Sequence, residues 1–332
     1  MRTDLPTAHT PSYIDEVSRY YLKSGAARIP YGIGCAWLGR QGTEGEALRR
    51  DLSVLDAAYA RSFRYFDTSS AYGESEITLG VYLSALGAAR DGLFVATKSR
   101  IPAALDARGA REHVRRQIEA SRMRLQTDVI DLYQIHDVDG LDETTAPGGA
   151  IEALEEAKQA GKIRYAGLAT RNLELLAAGA GDGRFDTVLT YSDYTPIDQT
   201  ASELILKAGS RGVGVINGTP LSAGLLAGGD PAAMSVPLWH AESVLRQRRA
   251  ASLYRLCSGL DVSMLHVALQ YPLRCAGIHM NLTGPSTTEE LDAGCAAMLA
   301  PLPDSCWQAI DEWNAARLSE PAEPAEPAYP DE

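Results

Sequence analysis

The sequence predicts an α/β protein, a single-domain (β/α)8 TIM barrel, and three observations support this fold class. Short apolar runs alternate with helical stretches eight times from Tyr31 onward, at roughly even spacing. No turn typical of an antiparallel hairpin joins adjacent runs of this series. The length of 332 residues suits one barrel domain. An open dinucleotide-binding sheet fits less well, because Gly32-Ile-Gly34 and Gly212-Val-Gly214 lack the third glycine that such a sheet requires.

The predicted strands share a short, continuous apolar run. They are Tyr31–Trp37, Arg64–Asp67, Leu93–Thr97, Val129–Ile135, Ile163–Leu168, Thr187–Tyr191, Val213–Ile216 and Ile278–Thr283. The predicted helices share apolar residues at helical spacing. They are Glu46–Ala60, Ser75–Leu86, Ala110–Leu125, Ile151–Gln159, Leu173–Ala178, Ser202–Ala208, Ala241–Ser258, Ser263–Cys275 and Glu289–Leu299. Ser75 is the expected cap of its helix, and Glu76 suits the first turn.

The chain ends lie outside this repeat. Residues 1–28 form a predicted N-terminal extension, in which 13–23 is a short helix or a strand covering one end of the core. The barrel itself is predicted over 29–318 and includes an extra C-terminal helix from Ser305 to Leu318, packed outside. Residues 319–332 repeat Glu-Pro-Ala and are predicted to be a disordered acidic tail, since this composition cannot bury enough apolar area to offset chain entropy.

Charge and cysteine usage narrow the class of protein. The net charge is −12, and five acids with no base lie in 319–332, which argues against nonspecific binding of nucleic acid. The five cysteines show no CxxC or Cys/His spacing, so we expect reduced thiols, no metal and a cytoplasmic location. No apolar run approaches the roughly 18 residues of a membrane span, and no signal core precedes residue 28.

Three polar residues follow or end neighbouring strands. Asp67, Lys98 and His136 stand at the ends of the second, third and fourth predicted strands, and Tyr72 lies in the loop after Asp67. The carboxyl ends of parallel barrel strands share one rim, so these side chains should meet there. The alternative is a separate structural role for each: a loop acid, a surface amine and a rim histidine.

These residue types suit proton transfer to a carbonyl oxygen. A phenol of pKa about 10 is a poor acid near neutrality unless a nearby cation stabilises its phenolate. Lys98 would supply that cation and lower the pKa of Tyr72, while Asp67 would hold Lys98. His136 would bind the carbonyl oxygen, and Tyr72 would deliver or remove its proton as hydride moves.

The motif D-T-x-x-x-Y-G-x-S-E, with Lys98 after the third strand and L-Y-Q-I-H after the fourth, resembles the aldo-keto reductase family. The resemblance covers about residues 28–318. It implies a nicotinamide cofactor and Asp67, Tyr72, Lys98 and His136 as catalytic residues. The segments G-T-P-L-S-A-G-L-L and A-L-Q-Y-P-L-R resemble the branch of L-galactose, L-fucose and D-threo-aldose dehydrogenases.

The resemblance also implies cofactor-binding positions, and here the chain departs from the family pattern. Thr170 and Asn172 stand where a Ser-Asn pair binds the carboxamide, and Asn217-Gly218 replaces a stacking aromatic residue. The basic residue and Glu/Asn pair of NADP-dependent members are absent, which favours NAD over NADP. The implied cofactor residues are Thr170, Ser222, Gly224, Leu225, Gly284, Ser286, Thr287 and Glu290.

The functional hypothesis is an NAD(P)-dependent oxidoreductase that interconverts a carbonyl and an alcohol, either an aldose or lactol dehydrogenase or an aldehyde or ketone reductase. The expected partner is a small carbonyl compound or sugar, with Trp37 and Tyr194 as candidate pocket walls and no nucleic acid or membrane. Two alternatives stay open, namely a reductase that tailors a specialised metabolite and a non-catalytic regulatory subunit that senses the cofactor. Oligomeric state is also open.

Overall fold

The computed structural model describes residues 11–138, 140–235 and 243–319. Its centre is a closed barrel of eight parallel strands surrounded by helices, as predicted. In chain order the strands are β1 (Leu22–Ser24), β2 (Ala27–Ile29), β3 (Tyr31–Gly34), β4 (Tyr65–Asp67), β5 (Phe94–Arg100), β6 (Ile130–His136), β7 (Ile163–Ala169), β8 (Thr187–Tyr191), β9 (Gly214–Gly218) and β10 (Met280–Thr283). Strands β3 to β10 follow each other around the barrel, and β10 closes it by pairing with β3.

The predicted helices are present, with ends shifted by up to five residues, and residues 241–242 of the predicted helix Ala241–Ser258 lie outside the described residues. They are α1 (Tyr13–Val17), α2 (Gly45–Ala60), α3 (Ser75–Leu86), α4 (Ala107–Arg124), α5 (Asp142–Thr145), α6 (Ala150–Gln159), α7 (Leu173–Asp182), α8 (Ser202–Gly209), α9 (Ser243–Gly259), α10 (Met264–Gln270), α11 (Thr288–Leu299) and α12 (Asp304–Ser319). The extra C-terminal helix is therefore present as α12. The predicted tail lies outside the described residues apart from its first position.

The N-terminal extension contains both a helix and a hairpin. Helix α1 covers the amino-terminal end of the barrel, where the Tyr13 ring meets Phe94 and Tyr165 edge-on at centroid distances of 5.8 and 5.6 Å. Strands β1 and β2 then form an antiparallel hairpin, turned by Gly25 in a left-handed conformation, which was not predicted from the sequence. The extension thus closes one end of the barrel and leaves the opposite rim open.

Side chains inside the barrel change character along the strands. Residues near the strand starts, such as Tyr65, Phe94 and Leu132, form an apolar cluster. At the carboxyl ends of the same strands the inward positions are polar. Alternate side chains of each strand point into the barrel. The inward side chains at the carboxyl ends of these strands therefore place polar groups at one rim.

Ser75 does not cap α3, contrary to the prediction. It is the first helical residue, and the capping position is Glu74, whose side chain makes no capping hydrogen bond. The Ser75 hydroxyl is buried, donates to Cys35 O at 2.7 Å and lies 2.6 Å from Thr68 Oγ1. This hydroxyl instead ties the start of α3 to the loops after β3 and β4.

No helix in the described part of the chain is both long and apolar enough to cross a membrane. Across the same residues, no cluster of three or more His, Cys, Asp or Glu side chains could hold a metal ion.

Candidate active site

Strands β4, β5 and β6 bring the three predicted residues to one rim. Asp67 pairs with Ala96, and Lys98 pairs with Gln134, so Lys98 and Gln134 lie one inward position above the Asp67 level. His136 is the last residue of β6 and lies one inward position further. Lys98 is followed by two more residues of β5 and does not end it as predicted.

Asp67 and Lys98 form a buried ion pair, with relative exposures of 3% and 2%. Lys98 Nζ donates to Asp67 Oδ1 and, at 2.9 Å, to Thr68 O. Gln134 Nε2 donates to the other carboxylate oxygen of Asp67 at 3.1 Å. Each carboxylate oxygen therefore has a donor, which offsets part of the cost of burying the charge.

Tyr72 lies over this pair and beside His136. The Lys98 ammonium is 5.0 Å from the centroid of the Tyr72 ring. The rings of Tyr72 and His136 meet edge-to-face, with centroids 5.9 Å apart. The loop that carries Tyr72 is fixed to β5 because Ser70 N donates to Lys98 O at 3.0 Å. All four predicted catalytic residues thus lie together.

Lys98 lowers the pKa of Tyr72, as predicted, but its effect is smaller than the opposing effect of burial. The pKa of Tyr72 therefore lies above its ordinary value. Burial works against the charge of Lys98, yet Asp67 and Tyr72 together raise the pKa of Lys98 above its ordinary value. Tyr72 is therefore a protonated phenol, and Lys98 a cation, at neutral pH.

His136 is neutral in the same environment. Burial and the charge of Lys98 lower the pKa of His136 to about 3, opposed by Asp137 and assisted by Arg100 and Arg171. Its Nδ1 lies 3.2 Å from Ser69 Oγ, and its Nε2 lies 3.5 Å from Asp137 Oδ2. The imidazole thus carries one proton, and its neighbours decide which nitrogen holds it.

A cleft of about 420 Å³ opens beside His136, at the carboxyl ends of β5, β6 and β7. Its lining residues are Arg100, Asp137, Val138, Thr170, Arg171 and Asn172. The buried Thr170 hydroxyl accepts from Asn172 N at 3.4 Å, so its own proton can point into the cleft. The Asn172 side chain caps α7, because its oxygen accepts from Glu174 N and Leu175 N.

The loop after β9 contains three successive left-handed residues, Ser222, Ala223 and Gly224, with φ values of 49°, 55° and 94°. Consecutive backbone N–H groups in such a turn can form an anion-binding concavity. The N–H groups of Ser222, Gly224 and Leu225 already donate to carbonyls of the same turn. A phosphate at this loop would share those donors.

The loop after β10 leads into α11 and carries the other implied cofactor residues. Thr287 caps the helix, since its hydroxyl accepts from Glu290 N at 3.1 Å. Glu290 Oε2 accepts from Ser286 N at 2.7 Å and from Ser286 Oγ at 2.9 Å. The Glu290 carboxylate therefore already accepts from the Ser286 donors at the start of α11, two residues after Gly284.

The two candidate pocket walls lie in different places. Trp37 is half-buried beside Gly284 at the open rim, where a Cβ on Gly284 would be 3.7 Å from the indole. Tyr194 instead packs against Tyr271, with ring centroids 5.8 Å apart, and neither Tyr194 nor Trp37 lines the cleft beside His136.

Three residues of the site were not predicted: Ser69, Gln134 and Asp137. Strand alternation in L-Y-Q-I-H places Gln134 on the same face as His136, and this pattern could have identified it. Ser69 lies in the quoted motif but has no charge that draws notice. Asp137 has an unusual φ of 48°, which the sequence does not reveal.

Comparison with known proteins agrees with the barrel fold and identifies the family. A family model described as "Aldo/keto reductase family" matches residues 31–315. An L-galactose dehydrogenase of Arabidopsis thaliana is 32% identical over 255 residues, covering 74% of this chain and 77% of the relative. A D-threo-aldose 1-dehydrogenase of Pseudomonas sp is 25% identical over 294 residues, covering 78% and 86%. A solved aldo-keto reductase of Bacillus halodurans, in its holo form, superposes with a TM-score of 0.66 at 25% identity, covering 85% of this chain and 91% of its own.

Proposed function

Because this chain belongs to the aldo/keto reductase family and is an oxidoreductase, we propose that it interconverts a carbonyl and an alcohol with a nicotinamide cofactor, using Tyr72 as proton donor and acceptor. The observation that carries the proposal is the assembly at the rim. A protonated phenol lies over a buried ion pair and beside a neutral imidazole.

Each side chain has one task in reduction. His136 orients the substrate by hydrogen-bonding its carbonyl oxygen, and Tyr72 donates its proton to that oxygen. The positive charge of Lys98 stabilises the phenolate that remains. Asp67 holds Lys98 in place, and Gln134 in turn donates to Asp67. In oxidation the phenolate takes the hydroxyl proton back. A nicotinamide cofactor, when bound at the rim, would supply the hydride for reduction and accept it in oxidation.

The rim fits such a cofactor. Strands β3 and β9 end in the glycines Gly34 and Gly218, so neither strand projects a side chain at the rim. Thr170 offers a buried hydroxyl for the amide of the ring. Ser222, Gly224 and Leu225 would hold the pyrophosphate, and the segment from Gly284 to Glu290, with Ser286 and Thr287, would hold the adenosine.

NAD suits these residues better than NADP. The Glu290 carboxylate lies on the backbone N–H and hydroxyl of Ser286, where a phosphate would otherwise bind. A 2′-phosphate next to it would meet like charge, whereas a 2′-hydroxyl could donate to it.

An aldose, oxidised at its anomeric carbon, is the proposed substrate class. Two relatives carry the names L-galactose dehydrogenase and D-threo-aldose 1-dehydrogenase, and the quoted loop segments resemble the same branch. The other polar residues that line the cleft beside His136 are Arg100, Asp137 and Arg171, and they suit a ligand with several hydroxyls.

The test is turnover by the purified full-length chain with a panel of aldoses, aldehydes and ketones and each nicotinamide cofactor. We expect Tyr72→Phe to lower kcat by about two orders of magnitude, since it removes the acid, with cofactor affinity nearly unchanged. Tyr59→Phe is the matched control, because it removes the hydroxyl of another half-buried tyrosine, on α2.

The proposal fails if the wild-type chain neither binds a nicotinamide cofactor nor turns over any compound of the panel. Full activity of Tyr72→Phe would contradict only the proposed role of Tyr72 and not the proposed reaction. Aldoses turned over far more slowly than other carbonyl compounds would favour a tailoring reductase over an aldose dehydrogenase.

A further inference from the structure

The loop between β4 and α3 contains a fully buried serine, Ser69, that contacts the imidazole of His136. Its Oγ lies 3.2 Å from His136 Nδ1 and 3.0 Å from Lys98 O, and it accepts from Ala71 N at 3.1 Å. A hydroxyl has a single proton to donate. Ser69 must therefore donate either to Lys98 O or to His136 Nδ1, and this choice sets the tautomer of His136.

The carbonyl of Lys98 does not need the Ser69 proton. It already accepts from Ser70 N at 3.0 Å and from Ser70 Oγ at 3.3 Å. Two donors fill the two lone pairs of a carbonyl oxygen. Donation from Ser69 to His136 Nδ1 therefore leaves no acceptor in this group unsatisfied.

The other side of the ring favours the same arrangement. His136 Nε2 lies 3.5 Å from Asp137 Oδ2, and Arg100 fixes that carboxylate by donating to it at 2.7 Å. A bare Nε2 would point its lone pair at a negative oxygen, whereas an Nε2–H is attracted to it. Asp137 is held there at a left-handed φ of 48°, with its N–H donating to Ala169 O at 2.8 Å.

We propose that Ser69 is a positioning residue that, together with Asp137, holds neutral His136 in the Nε2–H tautomer. Nε2–H is then the donor that meets the oxygen of a carbonyl substrate, a last step that depends on the proposed function. In the Nδ1–H tautomer the lone pair of Nε2 would face a lone pair of the carbonyl oxygen, and His136 would no longer orient the substrate.

The tautomer can be measured without substrate or cofactor. In the full chain labelled with 15N-histidine, the two ring nitrogens give separate NMR shifts for each tautomer, and His136→Gln identifies the signals of His136 among six histidines. We expect wild type to show Nε2–H, with no titration from about pH 5.5 to 8. We expect Ser69→Ala to populate Nδ1–H, because Nδ1 loses its donor.

Ser121→Ala is the matched control, because it removes the hydroxyl of an equally buried serine, on α4, that accepts from Arg124. This control variant should keep the wild-type spectrum. Ser69→Thr retains a hydroxyl and should show the Nε2–H form, as wild type does. Asp137→Asn removes the negative charge that attracts Nε2–H, so it should by itself raise the Nδ1–H population. Asparagine tolerates a left-handed φ, so the backbone at this position should be kept. In turnover, kcat/KM should fall about tenfold for Ser69→Ala and stay near wild type for Ser121→Ala.

A wild-type spectrum of the Nδ1–H form would overturn the proposal, and so would an unchanged tautomer in both Ser69→Ala and Asp137→Asn. Absence of turnover in wild type would contradict the proposed function instead, and the NMR measurement would still decide the tautomer.

Discussion

At the scale of single residues, burial keeps His136 neutral and thereby makes the unfolding free energy depend on pH. Its folded pKa of about 3 lies well below the ordinary value of about 6.5, so the unfolded chain binds the additional proton between these values. The contribution of His136 to the unfolding free energy is therefore complete above pH 6.5 or so and is lost as pH falls toward about 3.

We expect the difference in unfolding free energy between wild type and His136→Gln to fall with acidity in that window, by at most about 1.4 kcal/mol per pH unit. Denaturant unfolding at several pH values measures it. Burial also lowers the pKa of His279, but this residue is present in both proteins and cancels in the difference. A difference that stays constant from about pH 7 to 4 would contradict the buried, neutral state of His136.

The residue scale also shows what the sequence could and could not predict. Residue type and strand order were enough to bring Asp67, Lys98, His136 and Tyr72 together. The net pKa of Tyr72 was not predictable, because it depends on a balance between burial and the charge of Lys98 that only coordinates provide. The Ser69 contact likewise requires knowing which atoms lie within hydrogen-bonding distance.

At the scale of elements, the start of α11 determines the cofactor preference that we propose. We expect wild type to bind NADH more tightly than NADPH. Glu290→Gln should narrow this difference roughly three- to tenfold by strengthening NADPH binding, because it removes a negative charge next to the 2′ position. Fluorescence titration with both cofactors measures the two affinities.

Glu289→Gln is the matched control for that measurement. Glu289 is the preceding residue, exposed like Glu290, and carries the same charge, while Glu290 is the one bound to Ser286. An equal shift in both variants would indicate a general charge effect and not a contact at the ribose. A wild type that prefers NADPH would contradict the proposed preference itself.

Most elements were predictable because the barrel repeats one pattern. Strand β8 and helix α3 begin and end where predicted, and other ends shifted by a few residues. The hairpin of β1 and β2 was missed because its three-residue strands bury little and show no regular alternation around Gly25. Its stability comes from pairing, which periodicity does not report.

At the scale of the whole molecule, the two ends of the barrel have different tasks. The carboxyl end carries the site, and the amino end is closed by Tyr13, which is 2% exposed. The sequence could suggest a cover but not this contact. The partners Phe94, Tyr165 and Gly214 are distant in the chain, and a Cβ on Gly214 would lie only 2.4 Å from the Tyr13 ring.

This separation predicts a variant that loses stability and keeps activity. Tyr13→Ala removes a buried ring from the apolar cluster and should lower the unfolding free energy by about 3–5 kcal/mol, as for other buried aromatic residues. Since Tyr13 lies at the end opposite Tyr72, kcat of the folded variant should match wild type. Denaturant unfolding and steady-state kinetics below the unfolding transition measure the two effects.

Tyr13→Phe is the control, because it keeps the ring and removes only the hydroxyl, which makes a 3.4 Å contact with Tyr65. It should cost about 1 kcal/mol or less. Gly214→Ala tests the same packing from the other side and should also destabilise, since the added Cβ meets the ring. If Tyr13→Ala lowered kcat while Tyr13→Phe and Gly214→Ala did not, the closed end would be coupled to the rim. The barrel would then not separate stability from chemistry.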